Sequence, residues 1–272
     1  MVKNPGTVRV AAVGDIHLGG KGLEPPLQIL FGQVSEHADV LALCGDLTDQ
    51  GDPEEAKLMA RALATVTVPI VAVLGNHDYH CGKEAEVARI LADAGVHVLD
   101  GDTHEVLGVG FAGIKGFAGG FGRRALGPWG EPLIKQFVRE ALDEALKLET
   151  ALGRLRTERK VALLHYSPIA GTVVGEPLEI YPYLGSSRLE EPLTRYPVDV
   201  VFHGHAHHGA PESRTRENVP VYNVSMVLLQ QTFPDRPPFR VVELRVGRGA
   251  DEPEAEIPGV TPLRRVTDRP GA

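Results

Sequence analysis

Short apolar runs alternate with longer amphipathic stretches along the first hundred residues. TVRVAAV at 7–13, DVLALC at 39–44 and PIVAVL at 69–74 are continuous rather than alternating, the pattern of strands buried on both faces. Between them, PLQILFGQVSEH and PEEAKLMARALATV place apolar residues at helical spacing. The second opens with Asp52 as a plausible N-cap and Pro53 at the first helical position. This order predicts a βαβαβ beginning, with parallel strands and right-handed crossovers. A third helix is expected over EAEVARILADAG. After it the pattern changes: VHVLD, THEVL and VGFAGI are short and turn-separated, which predicts hairpins and either a second sheet or a mixed extension of the first.

Farther along, the glycine-rich stretch at 116–130 reads as a mobile loop, followed by a long helix from about Glu131 to Leu152. KVALLH and VDVVFH are the next strands, and VPVYNV and FRVVELRV are expected to be antiparallel. No linker-like break divides residues 1–246, so a single domain is expected there, with a solvated tail over 247–272. Of the 272 residues, 43% are hydrophobic, enough for a sizeable core. The formal charge is −8 and no basic stripe follows a phosphate backbone, so duplex DNA is not an expected partner. Two cysteines make no disulfide framework, and Cys44 and Cys81 read as small buried side chains. No apolar run approaches the roughly 18 residues that span a bilayer, and MVKNPGT has no leader-like design. The expectation is a cytoplasmic protein with no membrane association; its oligomeric state is left open.

The chemistry lies where the predicted strands end. The first ends in GDIH (Asp15, His17), the second in GDLTDQGD (Asp46, Asp49) and the third in GNHD (Asn76, His77, Asp78), while later strands end in HYSP (His165) and HGHAHH (His203, His205, His207, His208). In an open α/β sheet the ligand crevice lies outside the carboxyl ends of the strands. Any one of these residues has an ordinary explanation as a turn former or cap; five segments doing so in turn do not. Buried carboxylates and neutral imidazoles with almost no Lys or Arg among them are costly without a cation. Asp15, His17, Asp46, Asn76, His165, His205 and His207 are too many ligands for one tetrahedral ion and suit two ions of five or six coordinates. The two-residue spacings in DIH and HAH put both side chains of each pair on one side if those segments are extended. Oxygen and nitrogen donors without a thiolate favour Mn, Fe, Zn, Co or Ni.

The ordered blocks GDIH, GDLTDQGD, GNHD, a lone His and GHAH, spread from residue 14 to 207, resemble the signature of the calcineurin-like metallophosphoesterase family. The resemblance implies an αββα sandwich: two mixed β-sheets flanked by helices. It implies that Asp15, His17, Asp46 and His207 hold one metal and that Asp46, Asn76, His165 and His205 hold the other, with Asp46 shared. His77 would support or protonate the leaving oxygen, and Asp49 resembles the carboxylate that orients it. The implied reaction is hydrolysis of a phosphate ester by a hydroxide held between the ions.

Gln50 stands where the family's protein phosphatases have Arg, and no segment suggests the DNA-capping domain of its double-strand-break nucleases. The blocks are similar to those of the compact branch that includes class III cyclic-nucleotide phosphodiesterases, which implies a small phosphodiester such as a cyclic nucleotide as substrate. A phosphomonoesterase, nucleotidase or protein phosphatase is the alternative within the family, and a catalytically silent interaction subunit the alternative outside catalysis. Arg123, Arg124 and His80 are further candidate substrate contacts. Trp129 and Phe121 are expected to pack their loop onto the body or into a dimer contact rather than to stack on a base or sugar, and His203 or His208 to support a ligand.

Overall fold

The computed structural model describes residues 6–19 and 24–247. The tail expected over 247–272 lies, apart from Gly247, outside the described residues.

The leading βαβαβ pattern folds as its periodicity dictates. Strands β1 (Thr7–Val13), β2 (Val40–Cys44), β3 (Ile70–Val73) and β4 (Val96–Val98) pair in parallel. Helices α1 (Glu24–His37), α2 (Pro53–Leu63) and α3 (Glu84–Asp93) make the crossovers. The apolar runs are continuous because both faces are covered: Ala11, Val13, Leu41 and Leu43 pack with Phe31, Met59 and Leu91 of the helices. Val10, Ala12, Val40 and Ala42 face the other way, towards a second sheet.

Helix α2 begins as its sequence signals. Asp52 accepts from Glu54 N at 2.8 Å, and the Glu55 carboxylate reaches back to the Asp52 and Gln50 amides at 3.4 and 2.8 Å. This capping box satisfies amides that would otherwise lack partners, and it pins the loop that carries Asp46 and Asp49 to a rigid element.

The second sheet holds β5 (Asp102–Val106), β6 (Val109–Gly113), β7 (Arg159–Leu163), β8 (Val200–His203), β9 (Glu212–Arg214) and β10 (Pro220–Asn223). Their spatial order is β5-β6-β7-β8-β10-β9, parallel from β6 to β10 with antiparallel strands at both edges. Helices α4 (Pro132–Arg154) and α6 (Glu190–Arg195) cover its outer face, Leu148, Leu152 and Leu193 packing on Ala112, Ala162 and Val201. Two short helices, α5 (Tyr181–Leu184) and α7 (Met226–Thr232), complete the set, and β11 (Arg240–Arg245) returns antiparallel to β1. Val10 and Val73 of one sheet meet Phe111, Leu163 and Phe202 of the other, so the layers run helix, sheet, sheet, helix. The αββα sandwich expected from the sequence is the observed fold.

Several local expectations change. VHVLD and THEVL form no hairpin with each other: β4 ends the first sheet, the chain crosses at residues 99–101, and β5 opens the second. The hairpin is β5–β6, turned at Leu107 and Gly108, both with positive φ (52° and 78°). VPVYNV was expected to be antiparallel, yet β10 lies parallel to β8 and antiparallel only to the short edge strand β9. The front of the glycine-rich loop is fixed: Gly116 and Ala118 to Gly120 are buried, and Gly119 N and Gly120 N donate to Pro182 O and Gly185 O, each at 2.8 Å. Cys44 is buried as expected, whereas Cys81 is exposed beyond the third strand end and donates to Gly51 O at 3.0 Å.

Candidate metal centre

β1, β2 and β3 of one sheet and β7 and β8 of the other end at one rim, and their following turns are stitched together by main-chain bonds. Asp15 N donates to Gly45 O, and Ile16 N and His17 N both donate to Asp46 O, each at 2.9 Å; Gly204 N donates to His165 O at 3.2 Å. Gly14 N donates to Val224 O at 2.9 Å and Val224 N to His203 O at 2.7 Å, and the Asp15 carboxylate accepts from His205 N at 2.9 Å, so residues as far apart as Asp15 and His207 meet.

The side chains fall into two groups whose donor atoms lie within 4.8 Å of one another: Asp15, His17 and His207, and Asp46, His165 and His205. A third such group, His17, Asp49 and His77, flanks the first. His207 Nε2 is 3.0 Å from Asp15 Oδ1 and 3.4 Å from His17 Nε2. His165 Nε2 is 2.8 Å from Asn76 Oδ1 and 3.4 Å from Asp46 Oδ1, while the other Asp46 oxygen lies 3.7 Å from His17 Nε2. Asp46 thus reaches both groups.

The two-residue spacings act differently from the extended geometry expected. Asp15 and His17 have φ of 55° and 49°, Asp46 49° and His205 70°. Non-glycine residues avoid this left-handed region, and such strain persists only where the surroundings over-determine it. The turn in HAH sends His205 to one group and His207 to the other. Two glycines of the blocks are dictated by this crowding. A Cβ on Gly45 (φ 82°) would lie 2.5 Å from His165 Nδ1, and one on Gly75 would overlap the Asp46 carboxylate.

Asp15 and Asp46 are buried, and no Lys or Arg pairs with either among the described residues. Burial would raise both carboxyl groups, yet the imidazoles of His207 and His165 hold Asp15 below the ordinary carboxylate range, and His165 and the His77 amide do the same for Asp46. The counterpart is a proton on the imidazoles. Burial alone would lower His165, but Asp46, Asp15 and the Cys44 carbonyl raise it to about 9. His207 is raised by its bond to Asp15. Burial dominates at His205, which falls to about 3. Buried carboxylates balanced only by imidazoles, with an amide oxygen beside them, are a donor set that fits cations of the Mn, Fe, Zn, Co or Ni type.

Outer contacts select which ring nitrogens face inward. His165 Nδ1 is 3.0 Å from Cys44 O, and His205 Nε2 is 3.1 Å from Tyr183 O. A carbonyl takes one ring proton of each, so His165 Nε2 and His205 Nδ1 are the nitrogens that face inward, the former becoming a lone pair once its second proton is lost. His77 is half exposed and its Nδ1 lies 2.7 Å from the main-chain oxygen of Asp49. The Asp49 carboxylate is 3.8 Å away, so the orientation expected of that side chain is supplied mainly by its backbone.

The other residues singled out in the sequence belong to none of the three donor groups. Arg123 and Arg124 are exposed in a short 3-10 turn, Gly122–Arg124, and His80 is exposed just past His77. Buried His203 binds Thr172 Oγ1 and Gly204 O rather than a candidate ligand, its pKa pushed down by burial to about 4, and His208 is exposed. Trp129 is 79% exposed rather than packed on the body, while Phe121 is partly buried against Leu184 and Ala206 as expected.

Sequence reading gave no role to two buried polar residues. Asp78 accepts from Gly75 N, Leu47 N, Thr48 N and Thr48 Oγ1 at 2.7–3.3 Å, joining the GDLTD and GNHD turns. Asn223 donates to Ala206 O at 2.7 Å and accepts from Ser225 N at 3.2 Å, bracing HAH from β10. The position of Asp78 inside GNHD was its only signal; Asn223 had none.

A calcineurin-like phosphoesterase family model matches residues 8–209. The chain belongs to that family. No curated protein sequence matches it significantly. Among solved structures, phosphopantetheinyl hydrolase of Mycobacterium tuberculosis superposes with a TM-score of 0.59 at 15% identity, covering 86% of this chain and 95% of that one. The protein TT1561 of Thermus thermophilus does so at 0.53 and 15% identity, covering 82% and 91%. At such identity the likeness is one of fold. The family uses a dinuclear metal centre, and the strand-end groups supply candidate ligands for one.

Proposed function

We propose that the protein is a dinuclear-metal phosphodiesterase. The observation that carries this reading is the meeting of two donor groups around buried Asp15 and Asp46 with no Lys or Arg paired to either among the described residues. Asp15, His17, Asp46 and His207 would hold one ion and Asp46, Asn76, His165 and His205 the other. Two such ions, when bound, neutralise phosphoryl oxygens and lower the pKa of bound water.

The chain's own groups do the rest. His77, its Nδ1 fixed on Asp49 O at 2.7 Å, presents Nε2 to hold a proton at the departing oxygen. Asp78 keeps the turns of Asp46 and His77 in register. Donor groups in which no Lys or Arg among the described residues pairs with Asp15 or Asp46 suit a singly charged diester better than a doubly charged monoester. A small diester such as a cyclic nucleotide is the substrate the sequence blocks favour. The test is purified protein with added Mn on bis-aryl and mono-aryl phosphates. Faster hydrolysis of the diester is expected; preference for the monoester overturns the diester assignment, and no hydrolysis of either overturns the enzyme.

A further inference from the structure

Where α3, β4 and α4 come together, beside the turns of the metal centre, lies a cavity of about 360 Å³. Leu74, Val98, Leu99 and the α3 residues Ala85 and Ala88 give it apolar walls, and Tyr79 gives it an aromatic one. It borders the centre through the backbone. Tyr79 N donates to Asn76 O at 3.2 Å, and Lys115 O accepts from His165 N at 3.0 Å and from Tyr166 N at 3.1 Å. A concave, mostly apolar space of this volume with a few convergent polar groups is the form that small-molecule sites take.

The polar groups of the lining identify its occupant. The Lys115 ammonium stands 5.0–5.4 Å from the ring centres of Tyr79, Phe117 and Tyr166. Of its three donors the protein meets one, with Gly116 O at 2.9 Å, and among the described residues no carboxylate pairs with it. Lys147 is different: Asp100 and Glu144 hold it at 2.9 and 2.7 Å, and Glu144 also accepts from Gly116 N at 2.7 Å. Glu84 and Glu140 have no ion pair among the described residues. The lining thus keeps unmet donors on Lys115 and unmet acceptors on two carboxylates. Its two lysines stand against four carboxylates, which disfavours a free anion, and a cation would meet the Lys115 ammonium. A neutral, planar molecule with a carbonyl next to a ring N–H satisfies both sides. A 6-oxopurine is such a molecule, since lysine pairs with its O6 and N7, a carboxylate accepts from its N–H, and its ring can stack on tyrosine.

We propose that this cavity binds a purine with a lactam edge, guanine or hypoxanthine, its carbonyl oxygen on Lys115, its ring N–H on Glu84 or Glu140 and its face on Tyr79. This goes beyond the phosphodiesterase reading, and the binding does not depend on it. The base of a cleaved ester and a free nucleoside present the same edge, and kinetics tell the two sources apart.

The experiment is calorimetric titration of the full chain, with Mn present, by inosine and by adenosine, whose base has no lactam. Inosine is expected to bind about tenfold or more tightly than adenosine. Lys115→Met keeps an unbranched stem among the rings and removes the donors, so the preference should vanish. Ala85→Phe, at an exposed position of α3, should fill the cavity and weaken both nucleosides, with an unchanged melting temperature reporting an intact fold. No binding of inosine, equal affinity for the two nucleosides, a preference that survives in Lys115→Met, or binding untouched by Ala85→Phe each overturns the proposal. In hydrolysis of an aryl diester, inosine that raises KM alone marks the cavity as the place of the substrate's own base, whereas inosine that changes kcat marks a separate effector. Binding of inosine by a protein that hydrolyses no phosphate ester retains the site and removes the phosphodiesterase.

Discussion

The turns that carry Asp15 and Asp46 and the exposed segments 121–133 and 174–183, the second of which touches His205 through Tyr183 O, are held by different forces. In the turns, four candidate ligands sit in left-handed backbone, glycines are fixed by contact with ligand side chains, and the buried Asp78 carboxylate is met by four donors. In the exposed segments the anchors are main-chain bonds such as Gly119 N to Pro182 O and single bonds to Ser187 Oγ and from Arg188 Nη2, and large apolar side chains face outward. The comparison teaches a division of labour. Geometry that must stay fixed is over-determined by the ends of two sheets, while exposed surface hangs on loops and varies at little cost to the fold.

Substitutions that separate the two regions sharpen this. The largest loss should come from Asp46→Asn, since Asp46 is the carboxylate that reaches both groups. Turnover should fall about a thousandfold or more, and metal content, read by elemental analysis, should fall with it. Next is His77→Ala, expected to cost about 10²- to 10⁴-fold in turnover with metal content unchanged. Full activity in either variant would break the assignment of the turns as the reacting region.

The pH dependence of metal binding follows. In the metal-free protein the pKa of His165 is raised from 6.5 to about 9, so the stability contributed by its proton is fully present below pH 6.5 and is lost as pH rises through 9. That loss amounts to roughly 3 kcal/mol. A metal must displace the proton, so apparent affinity should climb about tenfold per pH unit up to about pH 9, read by competition with a chelator. A flat profile would show that His165 does not face the ion. The smallest effect is expected for Asp49→Ala. The main-chain oxygen that holds His77 remains, so turnover should drop by no more than about fivefold; a loss as deep as that of His77→Ala would return the orienting role to the carboxylate.

Much of the turn region was legible because two regularities coincide there. Continuous apolar runs such as DVLALC mark strands covered on both faces, and parallel strands deliver whatever follows them to one rim. Asp15, Asp46, Asn76, His165 and His205 could thus be collected from distant blocks. Their backbone conformation was not legible: a two-residue spacing reads the same whether the segment is extended or, as at Asp15 and His17, left-handed. Asp49 was found for its carboxylate, while its carbonyl, which every residue possesses, makes the closer contact. Asp78 and Asn223 resemble any loop polar residue until their buried partners are seen. The segments beside the turns were less legible for a related reason: α5 is too short to show periodicity, and an aromatic in a glycine-rich stretch reads the same whether it packs on the body, as Phe121 does, or stands outside, as Trp129 does.

The most direct test of the two-metal centre is an anomalous-scattering map of crystals grown with Mn, with occupancy refined for each site. The expected result is two peaks, one among Asp15, His17 and His207 and one among Asn76, His165 and His205, with Asp46 contacting both. A single peak, or none in a protein that still hydrolyses phosphate esters, would contradict it.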